Sequence, residues 1–546
     1  MTPDELSTAI RACLEAAVAA GDLTVSVPDE IRVERPRQRE HGDWSTNIAL
    51  QLAKPAGLKP RAVAELLAAR LVDLPGIKSV DIAGPGFLNI VLDTASSAGL
   101  VKTIVEAGAG YGHNQQLAGT VLNLEFVSAN PTGPLHIGHT RWAALGDALA
   151  RVLIASGAQV TREYYVNDAG AQMDRFGGSI LARLRGTEVP EGGYKGEYVA
   201  ELAVAVRAQR PDVDTLPDDE ALVVCREVGY AVQLAENRQT LSDFGVQFDV
   251  WFSERTLHES GAVEAAVARL REQGHVFDLD GAVWLRTTDF GDDKDRVLIK
   301  ADGEKTYFAS DAAYWLSVRD RGFPKKIFML GADHHGYVQR LKAIVACAGD
   351  DPEEAVEVLI GQLVSVGGAR LSKRAGNIIE LKDLVDWLGA DAVRYSLARY
   401  PADSPLTLDG EVLQKKSNDN PVFYVQYAHA RLSSIARNAP QAGVDLSVFE
   451  PALLDHPTEN ALIATLAQFP SVVATAAELR EPHRVARHLE VVAGAYHKWY
   501  DNCRVIPKGE DPVENVNRTR LWLNEATRLV LANGLNLLGV SAPENM

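Results

Sequence analysis

The sequence predicts an α/β protein in three parts: a small α+β domain over residues 1–115, a parallel α/β domain over 116–400, and an all-α domain over 401–546. Three observations carry that division. A chain of 546 residues exceeds what one hydrophobic core serves. Near Val121 the pattern becomes buried strand, polar loop and helix, the opening unit of a parallel sheet. After Tyr400-Pro401 apolar residues recur almost wholly at helical spacing.

The elements follow in order. Thr2 reads as an N-cap, with Pro3 in the first turn and Glu5 closing a capping box. Residues 62–71 have helical spacing, while 79–83 and 87–91 alternate like strands about the turn Gly84-Pro85-Gly86. Gly108, Gly110 and Gly112 mark a boundary; without a strand before or a helix after, they are no dinucleotide fingerprint. A buried strand is expected over 121–127 and a helix over about 138–156, with further strands at 326–330 and 356–360. These make 116–400 a nucleotide-binding, Rossmann-like domain interrupted by a long helical insertion. Helices are expected over 422–437, 460–479 and 484–500.

Composition narrows the function. The hydrophobic content of 46% with 23% charged residues is that of a globular chain. A basic segment followed by an apolar core does not open the sequence, and no uninterrupted apolar run has membrane-spanning length, so a cytoplasmic protein without a membrane partner is expected. Cys13, Cys225, Cys347 and Cys503 lack the paired spacing of a zinc or dithiol site, so no metal centre is expected. The net charge of −18 opposes indiscriminate coating of nucleic acid, yet allows an RNA enzyme with basic residues gathered on one face.

The most informative stretch is Asn130-Pro131-Thr132-Gly133-Pro134-Leu135-His136-Ile137-Gly138-His139. Two imidazoles three positions apart at the start of a helix point together over the sheet edge, where they can donate hydrogen bonds to a polyphosphate. Gly138 leaves room for a base or ribose against the backbone. Some 230 residues later stands Gly367-Gly368-Ala369-Arg370-Leu371-Ser372-Lys373-Arg374-Ala375-Gly376-Asn377. Alone it reads as a solvated basic loop; paired with the first motif, it offers Lys373 as a compact charge for a pyrophosphate.

These stretches resemble the HIGH and KMSKS signatures of class I aminoacyl-tRNA synthetases. The longer context is similar to the bacterial arginyl-tRNA synthetase family, through His41 to Asn47, Gly84 to Asn89, Glu125 to His139, Tyr164 to Gly170, Gly331 to Gly336 and Asp419 to Arg431. One departure is that Arg370 and Leu371 stand where the second signature has Lys and Met. Its second lysine is kept as Lys373, and no lysine lies within 131–135 to substitute for it.

The resemblance implies a ligase that activates L-arginine with ATP, taken as Mg-ATP with Mg²⁺, and transfers it to tRNA(Arg), working as a monomer. It implies catalytic roles for His136, His139 and Lys373, and ATP contacts from Pro134, His136, Gly138, His139, Ser372 and Lys373. Arginine would be held by Glu125, Asn130 and His139 at its α-groups and by Glu254, Tyr307 and Asp311 at its guanidinium, whose fixed fork of donors calls for such acceptors. His335 stands near a position where relatives carry glutamine. The tRNA would meet Arg35, Arg37 and Arg39 at the amino-terminal domain, with Lys54, Lys59 and Arg61 nearby. The helical domain would bind the anticodon and offers Tyr424, Tyr427, Arg431, Lys498, Trp499 and Tyr500, of which several aromatics belong to its core. Two other readings stand beside this one. A catalytically silent paralogue would have little use for intact His136, His139 and Lys373, and a small-molecule nucleotidylyltransferase would not need two RNA-facing domains.

Overall fold

A computed structural model describes residues 3–28, 31–34, 36, 42–92, 94–367, 379–509 and 511–546, with backbone alone at 3, 4, 94–97, 333 and 335. The amino-terminal sheet has the order β1-β3-β2, all antiparallel, with β1 Trp44–Thr46, β2 Ile77–Ala83 and β3 Phe87–Leu92. Helices Pro3–Ala19, Ile48–Ala56 and Pro60–Leu71 cover it, and Leu6, Ile10, Ile48, Val63, Leu67, Leu88 and Ile90 form the buried interior. Pro3 opens its helix as expected; Thr2 lies outside the described residues.

The glycine-rich connection differs from a loose linker. The Tyr111 hydroxyl donates to the Leu466 carbonyl at 3.0 Å, and Asn533 donates to the carbonyls of Gly108 and Tyr111. At Gly112, with φ +102°, a Cβ would come within 2.4 Å of the Phe469 ring. Glycine is needed there because the backbone turns left-handed while pressed against the helical domain.

The central sheet has the order β11-β10-β4-β5-β6, parallel throughout: β4 Val121–Glu125, β5 Gln159–Val166, β6 Val250–Ser253, β10 Lys325–Gly331 and β11 Val356–Gly361. The chain winds outward through β4, β5 and β6, then crosses to the other side of β4. The order therefore reverses between β4 and β10, and at such a switch point the loops leaving the two strand ends diverge and leave a crevice. Expected strand 121–127 stops at Glu125, because Val127 and Ser128 turn left-handed at φ 68° and 42°.

Between β5 and β6 lies the expected helical insertion, Ala171–Arg185, Glu197–Gln209 and Asp218–Asp243, with a core of its own around Phe176, Ile180, Leu202 and Val206. Between β6 and β10 the insertion is not helical throughout: β7 Val276–Leu279, β8 Ala282–Leu285 and β9 Arg296–Ile299 form an antiparallel sheet. The last part consists mainly of helices Pro421–Asn438, Pro457–Leu466, Phe469–Glu478, His483–Asn502 and Asn515–Leu537; before them β13 Leu406–Asp409 pairs in parallel with β12 Val364–Gly367. The stretch Pro457–Glu478, mean hydropathy 1.3, has the length and composition of a membrane span, but it breaks into two helices at Ala467-Gln468 and is half buried. All four cysteines are buried thiols.

One side chain ties the parts together. Arg394, on helix Ala390–Ala398, is fully buried and pairs with Asp147 on helix Ile137–Ala155. It also donates to the Phe244 carbonyl at 2.9 Å and to the Leu538 carbonyl at 3.3 Å.

Candidate active site

The loop leaving β4 carries residues 126–136 to the helix Ile137–Ala155, which starts over the crevice. His136 is its N-cap: Nδ1 accepts the Gly138 N–H at 3.1 Å, and His139 Nδ1 accepts the His136 N–H at 3.3 Å. The two rings stack with centroids 3.8 Å apart. Burial lowers the pKa of both; His139 falls to about 3, through burial first and then the neighbouring His136. Both rings are therefore neutral near pH 7. With Nδ1 used as acceptor, each carries its proton on Nε2 and is a donor there. Gly138 is exposed, and a Cβ there would lie 3.0 Å from the His136 imidazole, so glycine lets that ring fold back over the helix start.

The chain that follows the second motif returns to the same place. Ile137 N–H donates to the Ile379 carbonyl at 2.9 Å, and Leu381 N–H donates to the Leu135 carbonyl at 2.7 Å. Residues 379–381 are thus paired with the histidine segment, while Ser372 and Lys373 lie outside the described residues.

A second set of groups lies at the carboxyl ends of β4, β5 and β6. Glu125 ends β4, and its Oε1 accepts from the Ser128 hydroxyl at 3.1 Å, a contact made possible by the left-handed backbone at Val127 and Ser128. Asp311 and Tyr307 stand four apart on helix Tyr307–Asp320 and so share a face. Asp311 keeps part of its surface open, accepts from the Tyr337 hydroxyl, and has its pKa pushed up to about 8, by burial first and then by Glu254 and Glu125. Glu254, buried just after β6, is raised by burial, against the pull of His258 at 3.7 Å. Tyr165 is raised far above the usual range by burial and then by Glu254, Asp311, Glu125 and Asp168, so four carboxylates converge on one ring. The open side is a cleft of about 640 Å³ lined by Gly170, Glu254, His258, Lys305, Tyr307 and Ser310. Tyr307 stands at its mouth, 63% exposed. The neutral imidazole donors suit a polyphosphate, while the cleft sets Glu254, Glu259 and Glu304 among Arg255, Lys300 and Lys305.

Comparison with known proteins agrees with that chemistry. Family models match along nearly the whole chain: the arginyl-tRNA synthetase N-terminal domain at residues 4–92, the class I (R) tRNA synthetase catalytic domain at 101–397 and the DALR anticodon-binding domain at 425–546. The chain is 68% identical to the arginine-tRNA ligase of Paenarthrobacter aurescens over 549 residues, covering 100% of both, and 65% identical to that of Micrococcus luteus over 556 residues, again covering 100% of both. The chain belongs to the arginyl-tRNA synthetase family. Its reaction is the ATP-driven joining of arginine to tRNA. The arginyl-tRNA synthetase of Thermus thermophilus, at 24% identity, has the same fold, with a TM-score of 0.75 and 100% of each chain covered.

Of the residues expected from the family resemblance, Glu254 and Tyr307 line the cleft, Asp311 follows Tyr307 by one helical turn and feels the charges of Glu254 and Glu125, and His136 and His139 stack at the helix start. Pro134 precedes that helix, and Asn130 is exposed on the same loop. Arg35, Arg37, Arg39 and the His335 side chain lie outside the described residues, while Lys54, Lys59 and Arg61 are exposed. In the anticodon-binding domain Trp499 is fully buried and belongs to the core. Tyr424, Tyr427, Arg431 and Tyr500 form one patch: Arg431 lies 3.7 Å over the Tyr500 ring and 5.7 Å over Tyr427, and Tyr427 stacks with Phe423. Ser128, Tyr165, His258, Tyr314, Lys326 and Tyr337 belong to the site or its floor without having been expected there. Nothing in the sequence marked Lys326, which reads as a solvated strand end, or Tyr314, which reads as an ordinary helix core residue.

Proposed function

We propose that the family's reaction runs here in two steps, with three residues acting on the polyphosphate and four on the amino acid. In the first step the arginine carboxylate attacks the α-phosphorus of Mg-ATP, and pyrophosphate leaves. His136 and His139 donate from Nε2 to the phosphate oxygens as charge collects on the leaving group, and the helix start adds its own N–H dipoles. Lys373 holds the pyrophosphate from the opposite side, with Ser372 beside it; the pairing of residues 379–381 with 135–137 supports this, since it brings the end of that loop to the histidines. In the second step a terminal ribose hydroxyl of tRNA(Arg) attacks the adenylate carbonyl and AMP leaves. No protein nucleophile takes part, because positioning and charge stabilisation suffice.

Glu125 accepts from the substrate α-ammonium group, with Asn130 nearby, while Asp311, Glu254 and Tyr307 receive the guanidinium. This assignment is supported by Glu254 and Tyr307 lining one cleft, with Asp311 one helical turn beyond Tyr307. Arg35, Arg37 and Arg39 and the patch of Tyr424, Tyr427 and Arg431 meet the tRNA, on units spanning residues 1–115 and 401–546. The enzyme acts as a cytoplasmic monomer. Single-turnover adenylate formation tests the phosphate roles: His136→Ala, His139→Ala and Lys373→Ala should each slow it by about 10²–10³, with little change in KM for arginine. A wild-type rate in any of them removes that residue from the mechanism.

A further inference from the structure

Beneath the cleft lies a layer of charge that the reaction as described does not use. Along one face of the sheet, Lys326 of β10 stands beside Asn123 of β4, and Glu125 of β4 beside Glu163 of β5. Tyr314, on the helix that carries Asp311, caps them. Lys326 and Glu163 are fully buried. The Lys326 ammonium group donates to Asn123 Oδ1 at 2.6 Å, to the Tyr314 hydroxyl at 2.8 Å and to Glu125 Oε2 at 3.0 Å, so its three protons are all used.

The Tyr314 hydroxyl has one proton and two carboxylates within reach, Glu125 and Glu163. Glu163 already receives both arms of the Arg321 guanidinium and the Asn123 amide. Burial alone would raise Glu163, but the Arg321 hydrogen bonds, Lys326 and Tyr314 bring it down to about 2. The single tyrosine proton lies between the two carboxylates, with Glu125 Oε2 at 2.6 Å, so Tyr314 steadies Glu125 while also serving Glu163. Of about four lone-pair positions on the Glu125 carboxylate, three are then filled, by Ser128, Tyr314 and Lys326. The fourth is left, on a residue that retains 7% of its surface.

We propose that Lys326 and Tyr314 are positioning residues for amino-acid recognition, holding Glu125 as a fixed acceptor for the substrate ammonium group. This rests on the reading of Glu125 as an arginine contact. The buried Lys326 and the half-buried Arg321 balance the two buried anions, Glu125 and Glu163. Removing one member of such a set leaves an uncompensated charge. Without Lys326, Glu125 faces Glu163 and Tyr165 on β5, Asp311 and Tyr314 on the covering helix and Glu254 beyond, with Arg321 committed to Glu163.

The test is steady-state aminoacylation with tRNA(Arg) by Lys326→Met, Tyr314→Phe and Glu125→Gln, with thermal melting of each. Tyr314→Phe keeps the shape and decides the matter if Lys326→Met does not fold. Expected in Tyr314→Phe is a KM for arginine raised about ten-fold, with KM for ATP unchanged. In Lys326→Met the KM for arginine should be raised at least as much, again with KM for ATP unchanged. Native-like melting with unchanged KM for arginine overturns the proposal. So does a parallel rise of both KM values, which marks a merely structural role. An unaltered KM in Glu125→Gln would instead overturn the reading of Glu125 itself.

Discussion

At the scale of single residues, Asp311 links arginine recognition to pH. Its folded pKa of about 8 lies above the ordinary 3.8, so between those values the folded protein holds a proton there that the unfolded chain lacks. The stability this contributes is complete below the unfolded value and lost as pH rises through about 8. Arginine reverses the preference, because a guanidinium favours the charged carboxylate, and binding below pH 8 expels the proton. KM for arginine should therefore fall as pH rises from 6.5 to 8, by at most about ten-fold per unit, and level off above. Asp311→Asn should weaken arginine, spare ATP and flatten the profile; titration calorimetry in two buffers of unlike ionisation enthalpy should count the proton. A flat wild-type profile would sink the assignment. Glu254, Tyr307 and Asp311 were legible in the sequence through family motifs, because carboxylates facing a guanidinium are a chemical necessity. Lys326 and Tyr314 were not, because a charged residue at the edge of a strand reads as solvated until its neighbours are known.

Among the elements, the helix Ile137–Ala155 shows how packing reverses a propensity. Alanine for glycine within a helix ordinarily stabilises by about 1 kcal/mol. At Gly146, however, a Cβ would come within 2.3 Å of the Phe126 ring, which is fully buried where β4 gives way to the histidine loop. Gly146→Ala should thus destabilise, by about 1–3 kcal/mol, and shift the loop that bears Glu125 and Ser128. A melting temperature equal to or above that of the wild type would show that this contact relaxes freely. Alternation and helical spacing revealed β2, β3, β10, β11 and the long helices. They missed β7 to β9, whose strands have four residues each, although Asp280-Gly281, at φ 49° and 78°, is the kind of pair that closes a tight hairpin. Nor could periodicity foresee that Val127 would leave the strand, since a β-branched residue disfavours positive φ and is held there by tertiary contacts.

For the whole molecule, Arg394 gives the domains a shared support. It binds Asp147 on the histidine-bearing helix, Phe244 at the end of the insertion and Leu538 after the last long helix. Anticodon contacts on helix Pro421–Asn438 can bear on this junction, because Gln426 of that helix donates to the Ser541 carbonyl at 2.9 Å and to Asp391 at 2.8 Å, three residues from Arg394. This connection predicts that arginine-dependent ATP–pyrophosphate exchange requires tRNA(Arg). Exchange at equal rates with and without tRNA would refute it. The three-part organisation was visible in changes of periodicity, whereas this junction was not, since its partners are separated by 144 to 247 residues.

That junction also sets an order of assembly during synthesis on the ribosome. Arg394 is translated long before Leu538, so a nascent chain that has exposed both signature motifs can pair it with Asp147 and Phe244 but still lacks the Leu538 acceptor. Competence waits for the far end of the message to be read.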